Sequence, residues 1–153
     1  MNPEHYHCSI SANISAKEAF DGITQVAAWW TTNFTGNAQK LNDIFTVRFG
    51  ETFVTARIAE AVAYKKIVWH VVDCHLNWLE NKKEWMDTRV SWEIITNKDV
   101  TQVQMTHFGI TPGAECYTTC VKGWDHHIKE SLLRLLTQKE GLQDRGKCIV
   151  AAS

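Results

Sequence analysis

The sequence contains no long apolar run, no excess of one charge and no secretion signal. Its apolar runs fall short of the roughly 18 residues that a membrane-spanning helix needs, so we predict no membrane insertion. Residues 1–5 lack the basic and then apolar stretches of a signal peptide. Sixteen basic and seventeen acidic side chains leave a formal charge of -1, which removes the main electrostatic reason to propose a nucleic-acid partner.

Closely paired cysteines are also missing. The five cysteines are an odd number without short paired spacings, so they do not indicate a disulfide framework. Together with the absence of a secretion signal, this predicts a reducing, cytoplasmic location. Cys116 and Cys120 would share one face of a helix, with His127 two turns beyond, but no third and fourth ligands follow. We therefore predict neither a metal site nor another cofactor.

Motifs for hydrolysis and phosphate binding are absent. The sequence has no Gly-x-Ser-x-Gly elbow and no glycine-rich phosphate loop. Glu60 shares a strand face with Ile58 by alternation, where a salt bridge at the strand edge is favoured over a buried acid. No nucleophile with a positioned base emerges, so we predict no catalytic residue and favour a protein that is not an enzyme.

Tryptophan, in contrast, is abundant. The chain holds seven tryptophans among 153 residues. Each is large and carries an N–H group that seeks a partner when buried, so seven of them predict wide, irregular apolar spaces. The length is that of one domain, which we expect to span 1–153, with a core at about 5–140 and a tail at 141–153.

The N-terminal third predicts one strand followed by two short helices. Residues 5–13 alternate loosely and precede a break. Ser15 and Glu18 then form a capping-box pattern, in which a hydroxyl and a carboxylate satisfy free N–H groups at a helix start. A second short helical piece is expected at 25–30.

The remainder predicts an antiparallel sheet and one long helix. Closely spaced alternating runs favour an antiparallel meander; they lie at 45–49, 54–62, 67–72, 90–94 and 103–107. From 115 to about 140 the period becomes helical. The predicted apolar stripe of this helix comprises Cys120, Trp124, Ile128, Leu132 and Leu135.

This order of elements is α+β and typical of a helix-grip fold, in which a curved antiparallel sheet wraps around a long C-terminal helix. The short motifs that carry a family resemblance are Ser15-Ala16-Lys17-Glu18-Ala19-Phe20, Trp29-Trp30, Ile67-Val68-Trp69, Val90-Ser91-Trp92, Thr101 with Val103, Met105, Thr106 and His107, and Gly123-Trp124. With these motifs, the chain from about Cys8 to Leu136 resembles the START-like (SRPBCC), birch-pollen-allergen-like superfamily. Within it, the chain is similar to the branch named after the activator of the heat-shock-protein-ninety ATPase. Ala56 departs from the pattern, because the branch often has glycine near that position.

The resemblance implies an apolar cavity between the sheet and the long helix, since members typically enclose one. We therefore expect a small hydrophobic molecule or lipid as the ligand. Strand alternation turns His107, Trp69 and Trp92 inward, and binding pockets combine apolar walls with a few polar groups. The predicted lining residues are Trp30, Phe45, Trp69, Trp92, Met105, His107 and Trp124.

Two features of this predicted site each have two interpretations. His107 is either a core histidine that donates to a backbone carbonyl or a polar anchor for the ligand. Trp78 and Trp85 lie in a long connection at 76–87 and either pack over a sheet edge or form a lid over the cavity mouth.

Two other functions compete with ligand binding. A cyclase or hydrolase acting on a hydrophobic substrate would need two polar groups in reach of each other, such as His107 with Glu60 or His127. A chaperone-regulating contact is implied by the name of the branch. That activator resembles a two-domain protein, however, and this chain has room for one domain. The oligomeric state is left open between a monomer and a homodimer.

Overall fold

A computed structural model describes residues 5–113, 117–139 and 141–142. Cys116 of the rejected metal pair and most of the expected tail lie outside the described residues. The strands are β1 (Tyr6–Ala12), β2 (Phe34–Gly36), β3 (Ile44–Phe49), β4 (Thr52–Val62), β5 (Lys66–His75), β6 (Arg89–Asn97) and β7 (Val100–Phe108). The helices are α1 (Ala16–Thr24), α2 (Val26–Trp29), α3 (Tyr117–Asp125), a π-helical segment (His126–Leu132) and α4 (Leu133–Gln138).

The seven strands form one antiparallel sheet in the order β1-β7-β6-β5-β4-β3-β2. Strands β2 to β7 therefore follow one another as the predicted meander, and β1 joins beside β7. In that register His107 lies opposite Tyr6 on one side and Val90 on the other. The predicted α+β helix-grip architecture is confirmed, with a single buried core that joins the sheet to the C-terminal helix.

Helix α1 begins at the predicted capping box. The Ser15 hydroxyl accepts a hydrogen bond from the Glu18 N–H at 3.0 Å, and the Ser15 N–H donates to the Glu18 carboxylate at 3.0 Å. Helix α2 follows after Gln25 alone, so the chain turns at once and carries Trp29 and Trp30 into the core.

The C-terminal helix buries the predicted apolar stripe in full, but its middle is π-helical rather than α-helical. In an α-helix, residues four apart drift around the axis by about 40° per step. The stripe keeps a spacing of four from Cys120 to Leu132, and a wider π turn keeps such residues on one face. Ser131 fixes this segment to α2, because its hydroxyl donates to the Trp29 carbonyl at 2.6 Å.

Strand β4 changes its pairing with β5 between Ile58 and Glu60. Ile58 is buried, whereas Glu60 and Val62 beyond the irregularity are exposed. Glu60 forms an ion pair with Lys66 at 3.8 Å, which agrees with the salt bridge favoured from the sequence. Strict alternation from Ile58 would turn Val62 inward as well, but Val62 is exposed because a bulge interrupts the alternation.

Candidate functional site

Six buried tryptophans meet between the sheet and the C-terminal helix, and we call them the indole cluster. They are Trp29 and Trp30 at the end of α2, Trp69 on β5, Trp85 in the loop before β6, Trp92 on β6 and Trp124 on α3. Trp29 and Trp30 are adjacent in the chain, and each of the other four rings lies on a different segment.

The rings of the indole cluster contact one another directly. The Trp30 ring stacks on Trp69 with centroids 5.8 Å apart, and Trp29 stacks on Trp30 at the same separation. Trp92 meets Trp69 edge to face at 5.2 Å. Trp30 reaches Trp124 at 5.1 Å, so the rings form one continuous aromatic interior.

The seven predicted lining residues all lie in this interior and are between 0% and 4% exposed. Phe45 contacts the Trp69 ring at 5.0 Å, and His107 contacts Trp124 at 5.9 Å. The structure therefore brings together the residues that the sequence placed together. Their role in lining a ligand stays a prediction.

Trp29 was missed by the sequence analysis. It is fully buried and contacts Trp30, Trp69 and Trp92, at 5.5 Å for the last. Its indole N–H donates to the Ile23 carbonyl at 3.2 Å. The adjacent Trp29-Trp30 pair, which the sequence analysis used only as a family motif, was the signal that could have identified Trp29 as a member of the site.

His107 is held by the protein through both ring nitrogens. The Trp124 indole donates to Nδ1 at 3.1 Å, which leaves the proton of the neutral ring on Nε2. Nε2 lies 2.9 Å from the Thr88 hydroxyl, which in turn donates to the Trp85 carbonyl at 2.7 Å. Burial, with a smaller contribution from His5, lowers the pKa of His107 to about 3. The histidine is thus neutral and donates to a hydroxyl rather than to the expected carbonyl.

Three indole N–H groups of the cluster have no hydrogen-bond acceptor among the residues that the structure describes. They belong to Trp69, Trp85 and Trp92. A buried donor without a partner costs about 1–3 kcal/mol, so such groups call for an explanation in terms of a bound molecule or water.

The cluster approaches the surface at two half-buried rings, Phe49 and His127, which we call the rim. His127 lies 6.1 Å from Trp30 and 6.0 Å from Phe49. Burial lowers the pKa of His127, with a smaller contribution from neighbouring His126. Its Nδ1 atom has no partner among the described residues. Of the adjacent histidines, only His127 contacts the indole cluster within the described contacts.

The two tryptophans of the proposed lid occupy different environments. Trp85 is 7% exposed, stacks on Trp124 at 5.8 Å and meets His107 edge to face at 4.6 Å. Trp78 is 43% exposed. Trp85 therefore belongs to the core, and only Trp78 has the exposure that a movable lid residue requires.

The residues considered for catalysis have different partners in the structure. Glu60 pairs with Lys66 at the surface, and His107 contacts Trp85 and Trp124. His127 instead contacts Trp30 and Phe49.

In the described ranges no group of three potential metal ligands occurs. In the same ranges, no helix combines the length and apolar character needed to cross a membrane.

Two open hollows lie on the outer surface. One, of about 690 Å³, is at the β6–β7 turn beside Ile95 and Val100. The other, of about 510 Å³, lies between the start of β1 and α3, where the Tyr6 hydroxyl donates to Asp125 at 2.6 Å. Neither hollow is lined by a residue of the indole cluster, so neither is the cavity predicted between the sheet and the C-terminal helix.

Known structures share this arrangement of a curved sheet and a terminal helix. The Aha1 dimer from Colwellia psychrerythraea has a TM-score of 0.70 at 20% identity, covering 95% of this chain and 99% of that one. The chain has the START-like, helix-grip fold. Protein MLL2253 from Mesorhizobium loti has a TM-score of 0.68 at 12% identity, covering 90% of this chain and 100% of the other. DynU16, a putative protein in the dynemicin biosynthetic locus, has a TM-score of 0.66 at 15% identity, covering 91% of this chain and 49% of its own.

At these identities the likeness establishes the START-like fold alone. No protein-family model matches the sequence, and no curated protein is similar enough to match it. Function therefore has to be argued from the indole cluster and its rim.

Proposed function

We propose that the protein binds a small hydrophobic molecule within the indole cluster, between the sheet and the C-terminal helix. The observation that supports this most is the set of buried indole N–H groups, on Trp69, Trp85 and Trp92, that have no acceptor within the described part of the chain. A purely structural core would pair them, as it pairs those of Trp29 and Trp124.

The driving force for binding would be burial of apolar ligand surface, at roughly 25 cal/mol per Å². Ordering costs and displacement of stacked rings would offset part of it. Because the cluster rings contact one another, the ligand would enter by moving rings apart at the rim. The half-buried Phe49 and His127 beside Trp30 are placed for that movement.

Hydrogen bonds from indole N–H groups, rather than from His107, would orient the ligand. Both nitrogens of His107 are occupied by Trp124 and Thr88. The Trp69 and Trp92 N–H groups have no acceptor in the ranges that the structure describes, and their rings are in contact. The polar anchor of the proposed site is therefore a pair of tryptophans.

N-phenylnaphthylamine, a neutral apolar fluorophore, tests the proposed binding. We expect its emission to rise and shift to the blue on titration with protein. Tryptophan emission should fall in parallel, because the bound probe would lie among six indoles. Phe49→Gln places a polar side chain at the rim and should weaken probe binding about fivefold or more.

Ile95→Gln is the matched control, because Ile95 is 46% exposed and lies at the outer hollow near the β6–β7 turn. It should leave probe binding unchanged. Loss of binding in Ile95→Gln with full binding in Phe49→Gln would place the probe outside the cluster and contradict the proposal. Absence of probe binding to the unchanged protein would contradict it as well.

The setting that we propose is a single cytoplasmic domain acting as a monomer or a homodimer. One structurally similar protein is described as a dimer. No contact among the described residues favours the enzymatic or the chaperone-regulating alternative over ligand binding.

A further inference from the structure

We infer that the molecule bound in the indole cluster is a flat, neutral hydrogen-bond acceptor, such as an aromatic ketone, quinone or ester. This inference rests on the proposed function, because it specifies the ligand of the same site. It excludes the carboxylate of a fatty acid and the ammonium group of an amine from the interior.

The hydrogen-bonding character of the cluster is one-sided. The unpartnered polar atoms on Trp69, Trp85 and Trp92 are all N–H donors, and an indole has no acceptor. Among the described residues, Nδ1 of His107 is already taken by Trp124, and the unpartnered Nδ1 of His127 lies at the rim beside Trp30 rather than beside these three indoles. A ligand gains hydrogen bonds here by supplying acceptor oxygens, whereas a ligand donor would find no free acceptor on these rings.

The interior also lacks a charge that could pair with an ionised ligand. Among the described residues, no lysine, arginine, aspartate or glutamate is buried. The buried polar side chains are Thr24, Thr31, Thr52, Thr88, Ser91, Thr101, His107 and Ser131. Burying an unpaired carboxylate or ammonium group is far more costly than burying a carbonyl that receives a hydrogen bond. The site therefore favours neutral molecules.

The geometry of the rings selects for a flat molecule. Trp30 lies within 7° of the plane of Trp29 and within 5° of the plane of Trp69. Three indoles thus present parallel faces, and Trp92 meets the Trp69 ring edge to face at an interplanar angle of 61°. A planar ring system can extend this stack while its oxygen faces the N–H edges of Trp69 and Trp92.

Four compounds with one tricyclic skeleton test the inference, with affinities measured by isothermal titration calorimetry. Fluorene has no polar group, fluorenone adds one acceptor, fluorene carboxylate adds an anion and 9-aminomethylfluorene, an aliphatic amine that is protonated at neutral pH, adds a cation. We expect fluorenone to bind about fivefold or more tightly than fluorene. The carboxylate and the amine should bind more weakly than fluorene.

Tryptophan-to-phenylalanine variants assign the preference to particular N–H groups. Trp69→Phe and Trp92→Phe remove an unpartnered donor and keep an aromatic ring, so each should reduce the fluorenone preference while fluorene still binds. Trp29→Phe is the matched control, because that equally buried indole already donates to Ile23. Because Trp29 is itself part of the stack, both compounds should lose affinity to the same extent, and the ratio of the two affinities should be unchanged. Benzothienylalanine at position 92 replaces N–H by sulfur at nearly constant volume, and it should act like Trp92→Phe if that variant folds poorly.

The failures of the two proposals are distinguishable. Equal affinity for fluorene and fluorenone, or tightest binding of the carboxylate, would overturn the inference while ligand binding stands. A preference that survives both Trp69→Phe and Trp92→Phe would also overturn it. If none of the four compounds binds and N-phenylnaphthylamine does not bind either, both proposals are wrong.

Discussion

Trp69 and Trp124 are equally buried indoles that differ in their hydrogen bonding. Each is 2% exposed. The Trp124 N–H donates to His107 at 3.1 Å, whereas the Trp69 N–H has no acceptor among the described residues. Trp124→Phe should therefore destabilise the ligand-free protein more than Trp69→Phe, by about 1–3 kcal/mol, because it leaves a buried acceptor on His107 unpaired.

Urea denaturation of the two variants measures this difference directly. The comparison is valid if the dependence of the unfolding free energy on urea concentration is the same in both. Equal losses of unfolding free energy would mean that the hydrogen bond between Trp124 and His107 adds nothing to stability. The assignment of His107 as a structural histidine would then fail.

The loop that joins β5 to β6 behaves as an element of the core at one end and as a surface segment at the other. Trp85 packs between Trp124 and His107, so Trp85→Ala should cost about 3–5 kcal/mol of unfolding free energy. Trp78 is largely exposed, so Trp78→Ala should change the unfolding free energy by about 0.5 kcal/mol or less.

Stopped-flow binding of N-phenylnaphthylamine then tests the lid. If Trp78 covers the rim, Trp78→Ala should speed both association and dissociation at nearly unchanged affinity. Unchanged rates in Trp78→Ala would remove the lid from the proposal without affecting the indole cluster. A large loss of stability in the same variant would instead support packing over a sheet edge.

Elements with a local signal were predictable from the sequence. The capping box of Ser15 and Glu18 and the stripe on the C-terminal helix each depend on neighbours a few residues away. Simple alternation failed at Val62, because a bulge depends on the partner strand rather than on the strand itself. The π-helical segment was missed, although the repeated spacing of four in the stripe was compatible with it.

The candidate site was predictable in its members but not in its hydrogen bonding. Alternation on β6 and β7 is enough to turn Trp92 and His107 inward. Helix α2 is only four residues long, which is too short for a periodic pattern to identify Trp29. Which indole N–H groups lack acceptors depends on contacts between distant elements, and no pattern along the chain encodes that.

At the scale of the whole molecule, buried neutral histidine makes folding depend on pH. The pKa of His107 is about 3 in the folded protein, against an ordinary value of 6.5 that applies once the chain unfolds. Above pH 6.5 the ring is neutral in both states, so the stability that it contributes is fully present. As the pH falls from 6.5 towards 3, the unfolded chain binds a proton that the folded protein excludes, and this stability is lost.

His107 alone should give a slope of up to about 1.4 kcal/mol of unfolding free energy per pH unit between pH 6.5 and 3. Urea denaturation of the wild type and of His107→Gln at several pH values across this window measures it. The carboxylates titrate in both proteins, so the difference between the two slopes isolates His107.

His107→Gln will start from a lower stability, because it disturbs the bonds to Trp124 and Thr88. The readout is therefore the slope and not the absolute value. Parallel curves for the two proteins would show that His107 takes up its proton in the folded state as readily as in the unfolded one. A closed interior around that ring would then be untenable.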